Sequence, residues 1–522
     1  MIRKMMAPLL ALACCLPGAA EATWRKAEST HFIVYSEQDE ASIRRAALRL
    51  EKLNLLQHVV TGMEKDKPAL KVKVFVLRGF YDVQQTMPFP KDGVAGYYDA
   101  NVRGPYSVIS RESDNNHDFS SQLVLYHELT HHFMFQYYNV AYPPWYVEGF
   151  AEFIGASKLD DSNEAILGQQ SLNRYYTFKY QSWTPVREIL AARSYEDMGQ
   201  DLGALYAEGW LLTHYLELGG KRDGQLAKYL ADINAGKSFE DAARDAFGDI
   251  NKLNSELIAY SRKSALPATG ITFKPQSIPP VTVEELPADR AAMVMDDLRL
   301  FAGVPMRDAR EFAAKVRADA AKGGETAWTL RLRAEADRIA NDHDDYVATV
   351  ARWNQIAPDD PEAMMHKSLV AMDALAAAKS TDAAAWTAAR RTMVAAARKA
   401  PDDAIILKAY FNSFGMQGIP PTADAHNALY KALDLVPADV EVRYQLAASF
   451  EAHGDIKDAI AVIRLAAFTE KDNLTPKEKA ERDRDEQRYR LAGSFKHETP
   501  RDMLNRLLKK QAEQAAGGTP AG

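Results

Sequence analysis

The chain has 522 residues, of which 47% are hydrophobic and 26% charged, and its formal net charge is −7. This length predicts about three domains, each able to bury a core. The negative net charge argues against a nucleic-acid-binding protein, because contact with phosphates needs basic surfaces.

The amino terminus has the pattern of a secretory signal peptide. Arg3 and Lys4 precede a short apolar stretch, residues 5–16, and the sequence Ala20-Glu21-Ala22 then provides an A-x-A cleavage site. The apolar stretch is too short to cross a membrane, and no later segment reaches spanning length. We therefore expect residues 1–22 to direct export across the inner membrane, into the periplasm.

Both cysteines, Cys14 and Cys15, lie inside the predicted signal peptide. The mature chain would then contain no cysteine, so it could form no disulfide. The alternative is a lipoprotein anchored through Cys14 or Cys15, although the preceding residues fit a lipobox poorly.

Strand and helix patterns alternate in the first zone of the mature chain. Residues 31–35 and 71–76 are rich in β-branched and aromatic side chains, which predicts strands. Residues 41–60 between them have helical periodicity, and residues 97–110 are typical of a hairpin. From about residue 118 to 265 the pattern is mainly helical.

A possible metal-binding motif follows the hairpin. His127 and His131 are four residues apart in a stretch, 121–136, without glycine or proline, so we expect a helix. Residues four apart lie side by side on a helix, which lets both imidazoles bind one Zn²⁺. Glu128 can accept a proton from a water at the metal. The alternative is an ordinary buried helix whose histidines are hydrogen-bonded.

A second motif, Pro-Trp-Tyr-Val-Glu-Gly-Phe-Ala-Glu-Phe, occupies residues 144–153. A catalytic zinc site needs a third protein ligand and an open position. Glu148 is a candidate, because the chain after His131 can end the first helix, turn at Pro143-Pro144 and return as a second helix.

Together, H-E-x-x-H and W-x-x-E-G-x-A resemble the motifs of the gluzincin metallopeptidases, and the resemblance covers residues 24–265. It implies an α+β, thermolysin-like catalytic domain in which His127, His131 and Glu148 hold Zn²⁺ and Glu128 is the general base. It also implies that Glu152, one turn after Glu148, orients a ligand histidine. The alternative for Glu152 is a solvated surface acid.

The resemblance also implies a Tyr or His that stabilises the oxyanion of the tetrahedral intermediate. This chain offers Tyr206 for that role, with His214 as the second candidate. Both share one helical face with Trp210, and such a face is more often simply core.

The sequence departs from the family pattern in two places. The spacing between His131 and the following acid is about two residues shorter than in the aminopeptidase N family, which leaves Glu148 and Glu152 both open as the third ligand. The G-x-M-E-N strand that captures a free amino terminus is absent from residues 93–99. Aminopeptidase action is not supported, whereas an edge strand that pairs with an extended peptide remains open.

Two further zones complete the predicted domain organisation. Residues 266–289 are rich in proline and are predicted to be a linker between the catalytic domain, residues 23–265, and a helical domain, residues 290–495. Proline followed by an acid recurs at Pro358, Pro401 and Pro437, which resembles tetratricopeptide repeats. The alternative is a generic alanine-rich helical bundle. Residues 496–522 are predicted to be a charged, partly disordered tail.

These observations predict an exported zinc endopeptidase with an all-α, tetratricopeptide-like domain that docks a protein partner or substrate. Two alternatives remain: a non-catalytic scaffold built on a peptidase-like fold, and a zinc hydrolase of a non-peptide substrate.

Overall fold

The structure is a computed structural model that describes residues 23–63, 70–92, 94–111, 121–138, 140–170, 174, 177–178, 182–469, 480 and 498–517. The predicted signal peptide, with Cys14 and Cys15, lies outside the described residues. None of the helices in the described ranges combines the length and the apolar character needed to cross a bilayer.

The described strands lie between residues 25 and 285 and form two sheets. Their bounds are β1 Arg25–Glu28, β2 Phe32–Ser36, β3 Val72–Leu77, β4 Gly96–Asn101, β5 Gly104–Ser110, β6 Lys158–Leu159, β7 Glu164–Leu167, β8 Thr269–Thr272 and β9 Thr282–Glu285. The larger sheet has the order β4-β5-β3-β2-β1-β9, and the smaller has the order β6-β7-β8.

The helices of the first part of the chain follow and surround these strands. Their bounds are α1 Glu40–Thr61, α2 Phe80–Thr86, α3 Ser121–Tyr137, α4 Pro144–Gly155, α5 Val186–Ala191, α6 Gly203–Leu218, α7 Gln225–Asn234, α8 Phe239–Phe247 and α9 Ile250–Ser261. Two 3₁₀ helices, Glu196–Asp201 and Pro275–Ser277, lie among the connections.

The remaining helices follow the last strand. Their bounds are α10 Ala288–Ala291, α11 Val294–Ala302, α12 Ala309–Gly323, α13 Ala327–Ala340, α14 His343–Ile356, α15 Pro361–Ala377, α16 Ala383–Lys399, α17 Ala404–Gln417, α18 Ala423–Leu435, α19 Val440–His453, α20 Ile456–Thr469 and α21 Pro500–Gly517.

The larger sheet is mixed and buries both of its faces. β2, β3 and β5 are parallel neighbours, whereas β1, β4 and β9 pair antiparallel. Side chains alternate between the two faces along a strand. Val72 and Val74 of β3 therefore pack in the core that contains α1 and α3. Phe75 and Leu77 pack on the opposite face with α11. The sheet therefore separates the His-bearing helix α3 from α11, whereas Leu465 of α20 lies on the α3 side and lines a small pocket with His131.

The proline-rich segment differs from the predicted linker. β8 pairs with β7, and β9 pairs with β1 at the edge of the larger sheet. Phe273 and Val281 are buried in the main core of the first domain. The prolines lie between short edge strands, where a missing N–H is tolerated. The high proline content of this segment therefore reflects strand ends and turns within the domain.

The carboxy-terminal part is a large region of helical repeats. Pro358, Pro401 and Pro437 lie in the connections that precede α15, α17 and α19. The acids after these prolines act as amino-terminal caps: Asp360 accepts hydrogen bonds from two backbone N–H groups, as does Asp403. The repeated proline and acid therefore mark the start of three helical hairpins, those that begin with α15, α17 and α19.

The predicted tail is partly ordered. Residues 500–517 form α21, in which Met503, Leu504 and Leu507 are buried against α20. Burial of this apolar stripe supplies the stabilisation that the charged composition did not suggest.

Candidate metal centre

Three side chains predicted as metal ligands meet at one point. Nε2 of His131 is 3.0 Å from Nε2 of His127. Oε2 of Glu148 is 3.3 Å from Nε2 of His127 and 3.5 Å from Nε2 of His131. In the described part of the chain these three residues form the one group of histidines, cysteines and acids close enough to share a metal ion.

The local chain explains how the three residues meet. His127 and His131 are buried on one face of α3, one turn apart. Pro143 caps α4, and Pro144 occupies its first turn, where a missing N–H costs nothing. The chain thus reverses between the two helices and brings fully buried Glu148 opposite the histidines.

The separations of the three ligand atoms match those required by a tetrahedral zinc site. Ligands about 2.0–2.1 Å from a tetrahedral ion stand about 3.3 Å from one another. The observed separations of 3.0, 3.3 and 3.5 Å bracket that value. Two imidazoles and one carboxylate are also a donor set that catalytic zinc sites use. The residues present therefore fit the metal.

Glu152 lies behind His127 and does not join the three ligand atoms. Its Oε1 is 3.1 Å from Nδ1 of His127, on the far side of the ring from Nε2. Arg174 donates two hydrogen bonds to Glu152, of 2.9 and 2.5 Å. Burial opposes ionisation of Glu152, but His127 and Arg174 outweigh it and lower the pKa to about 2. A carboxylate in this position behind the ring is the arrangement that orients a metal-bound histidine.

The charges around His127 favour a cation beside its ring. Burial disfavours protonation of this imidazole, yet Glu148 and Glu152 outweigh burial and raise its pKa to about 10. The arrangement therefore accommodates positive charge among these groups at neutral pH.

Tyr195 is a further contact of Glu148. Its hydroxyl donates a hydrogen bond of 2.6 Å to Oε1, the carboxylate oxygen that does not face the histidines. Tyr195 precedes the 3₁₀ helix 196–201 and belongs to no periodic pattern in the sequence, so sequence reasoning missed it. Arg174 was missed for the same reason.

Gly149 permits the helix crossing on which Glu148 depends. A Cβ atom at this position would lie 2.3 Å from the carbonyl oxygen of Gly209 in α6. A Cβ at Gly209 would in turn lie 2.7 Å from the carbonyl oxygen of Trp145. The two glycines let α4 and α6 touch through their backbones, which accounts for the Glu-Gly pair of the second motif.

Glu128 lies beside the ligands and is partly exposed. Within the described ranges its carboxylate makes no hydrogen bond or ion pair, but its charge acts on Tyr98 of the edge strand β4. Tyr98 is hydrogen-bonded to Nδ1 of His132 at 3.0 Å. Burial and the neighbouring His31 lower the pKa of His132 to about 4, so its ring is neutral near pH 7.

The two candidates for the oxyanion role occupy different places. The ring of Tyr206 lies parallel to that of His127, with centroids 6.2 Å apart, and the Arg174 guanidinium is 5.1 Å from the Tyr206 centroid. His214 is fully buried. Its Nδ1 is 3.0 Å from the Tyr260 hydroxyl and its Nε2 is 3.1 Å from the Gly168 carbonyl oxygen. The structure brings Tyr206 to His127 and places His214 in the core.

Comparisons with known proteins add little to this geometry. No family model matches the sequence, and no curated protein matches it. Among solved structures, the chain is similar to MamA 41-end from Desulfovibrio magneticus RS-1, with 17% sequence identity and a TM-score of 0.24. The match covers 34% of this chain and 94% of that chain. That likeness is too distant to carry an argument.

Fold and site together define the class: a mixed α/β domain with a buried His–His–Glu cluster, joined to a large helical-repeat region.

Proposed function

We propose that this protein is a zinc-dependent endopeptidase of the gluzincin type. The observation that carries the proposal is the meeting of two imidazole nitrogens and one carboxylate oxygen at 3.0–3.5 Å from one another. His127, His131 and Glu148 would hold the metal, and the fourth position would stay open. When bound in such a site, Zn²⁺ lowers the pKa of water and polarises a carbonyl group.

Glu128 supplies the proton transfers in this proposal. It follows a ligand histidine, is partly exposed, and forms no ion pair with another described residue that would hold it away from substrate. Glu128 accepts the proton of the attacking water and delivers it to the leaving amine. Tyr206, which is half-buried against His127, donates a hydrogen bond to the oxyanion.

A peptide substrate is supported by the position of β4. This strand is at the edge of the larger sheet and pairs with β5 on one side. Tyr98 links it to the residue after His131 through the hydrogen bond to His132. An extended peptide can add to such an edge by backbone hydrogen bonds, with its scissile bond beside Glu128.

The helical repeats and the amino-terminal segment complete the proposal. The repeats offer a long surface for docking a protein substrate or partner. The predicted signal peptide would place the enzyme in the periplasm, with a lipid anchor on Cys14 or Cys15 as the alternative.

Metal analysis of the purified full chain tests whether the three side chains bind zinc. We expect about one zinc per chain, because the three protein ligands form one site. His131→Ala should remove it, whereas His453→Ala, at a repeat-helix position outside the cluster, should leave it in place. Full occupancy of zinc in the His131→Ala protein would contradict the ligand assignment.

Hydrolysis of a mixed peptide library tests whether the protein cleaves peptides with Glu128 as the general base. Glu128→Gln should retain zinc but lose about 10²–10⁴-fold in rate, because an amide cannot accept the proton. Glu188→Gln, an exposed acid in α5, is the matched control and should leave the rate unchanged. Zinc binding with no cleavage by wild type would favour the non-catalytic scaffold or a non-peptide substrate.

A further inference from the structure

A cavity of about 450 Å³ lies between the larger sheet and the helical repeats, on the face opposite α3. Lys73 of β3 and Phe301 of α11 lie on its sheet side, and Trp328, Arg331 and Glu362 lie on its repeat side. Cavities of about 300–1,000 Å³ are the size that proteins use for small-molecule ligands.

Most charges at this cavity are matched. Arg103, at the tip of the β4–β5 hairpin, contacts both carboxylate oxygens of Glu335 at 3.0 and 2.9 Å. Arg331 contacts Glu335 at 3.1 Å and Asp297 at 2.6 Å. Two guanidinium groups and two carboxylates thus neutralise one another and join the hairpin to the repeats.

Two charged groups in the cavity wall make neither an ion pair nor a hydrogen bond with a described residue. The Lys73 ammonium is 4.3 Å from the centroid of the Phe301 ring, and no carboxylate among the described residues lies within 4.0 Å of it. The Glu362 carboxylate likewise has no ion pair or hydrogen bond in the described ranges. Burial lowers the pKa of Lys73 although the charge of Asp297 opposes this, and burial raises the pKa of Glu362 to about 7 although Arg331 and Arg103 oppose that shift.

The wall residue Trp328 also has a polar group without a partner. The indole N–H of Trp328 is buried without an acceptor among the described residues. A buried donor without an acceptor and buried charges without counter-charges are costly. A cavity whose wall carries one cation and one carboxylate, neither in an ion pair with a described residue, is complementary to a ligand that carries both charges.

We propose that this cavity binds a small zwitterionic ligand, an amino acid or a short peptide with free termini. The ligand carboxylate contacts the Lys73 ammonium, and its ammonium group contacts the Glu362 carboxylate. This site is separate from the metal ligands and does not depend on the peptidase proposal.

Calorimetric titration of the full chain with trialanine and with alanine tests the proposal and distinguishes a short peptide from a free amino acid as the ligand. The Glu128→Gln protein is used, so that the tripeptide is not consumed. We expect saturable binding of at least one of the two probes. N-acetyl-trialanine and trialanine amide, each lacking one terminal charge, should bind at least about tenfold more weakly than trialanine if the peptide is the ligand.

Variants locate the binding. Lys73→Met and Glu362→Gln should each weaken binding at least about tenfold, whereas Lys71→Met, which removes a lysine paired with Glu28, should not. Lys73→Met removes a charge that has no direct ion pair and keeps an apolar side chain of similar length beside Phe301, so the melting temperature should change little, and this verifies the fold.

Three outcomes would overturn the proposal. The first is the absence of saturable binding of either probe. The second is equal binding to wild type and the cavity variants. The third is binding that His131→Ala abolishes and Lys73→Met leaves intact, which would place the probe at the metal ligands.

Discussion

The hydroxyl of Tyr195 donates a hydrogen bond of 2.6 Å to Oε1 of Glu148, 47 residues earlier in the chain. The carboxylate is thereby held with its other oxygen, Oε2, facing both histidines. Such contacts behind a ligand hold it in the orientation that binds the metal and raise metal affinity.

Tyr195→Phe should weaken zinc binding about 10–100-fold, because the carboxylate then loses the contact that orients it. Competition with a chromophoric chelator measures this affinity. Tyr260→Phe is the matched control, since it removes a hydroxyl that contacts His214 in the core. Equal zinc affinity in wild type and Tyr195→Phe would show that packing alone orients Glu148.

Gly149→Ala should destabilise the fold by about 1–3 kcal/mol and reduce zinc content, because the new methyl group forces α4 away from α6. The added Cβ would meet the Gly209 carbonyl oxygen at 2.3 Å. Gly415→Ala in α17 is the control, because a Cβ there meets no atom within 4 Å. Urea unfolding with metal analysis measures both effects; a Gly149→Ala protein as stable as wild type would contradict the close crossing.

Tyr206→Phe should lower kcat by about 10²–10³-fold with little change in zinc content, if its hydroxyl stabilises the oxyanion. His214→Gln should act mainly on stability, because both ring nitrogens are engaged in the core. Steady-state kinetics on a peptide from the library, with melting curves for both variants, separates the two roles. A larger loss of kcat in a well-folded His214→Gln protein would reverse the assignment.

Glu335→Gln should destabilise the protein by about 3–5 kcal/mol, because removing one partner leaves two buried guanidinium groups short of counter-charge. Glu325→Gln, which removes a half-exposed pair with Arg352, should cost less than about 1 kcal/mol. Urea unfolding of metal-free protein measures both free energies of unfolding.

The cost of Glu335→Gln should also depend on pH. Burial opposes ionisation of Glu335, but Arg103 and Arg331 outweigh it and lower its pKa from 4.5 to about 2. A lowered pKa in the folded state gives stability that is present above pH 4.5 and is lost as the pH falls towards 2. The difference between wild type and variant should therefore shrink between pH 7 and pH 3; a constant difference would contradict the ion-pair explanation.

A chain that ends at Ala268 should fail to fold cooperatively, because it lacks β8, β9 and the buried side chains of Phe273 and Val281. A chain that ends at Pro305 retains these strands and α11, and should give more soluble, cooperatively folding protein. Thermal unfolding of both products measures the difference. Equal folding of the two would restore the proline-rich segment as a linker.

Sequence alone determined the features that depend on local geometry. The spacing of His127 and His131 dictates their juxtaposition once α3 forms, because helical residues four apart share a face. The Pro143-Pro144 pair marked the turn that returns Glu148. The recurring proline and acid marked the starts of the repeat hairpins, since capping is also local.

Only the tertiary structure decided the features that depend on distant packing. Tyr195 and Arg174 reach the site from segments without periodicity, and His214 shares a helical face with Tyr206 yet bonds to the core. Strand pairing of residues 269–285 depends on partners more than a hundred residues away. Such contacts are set by which surfaces pack together, and local sequence patterns do not encode that choice.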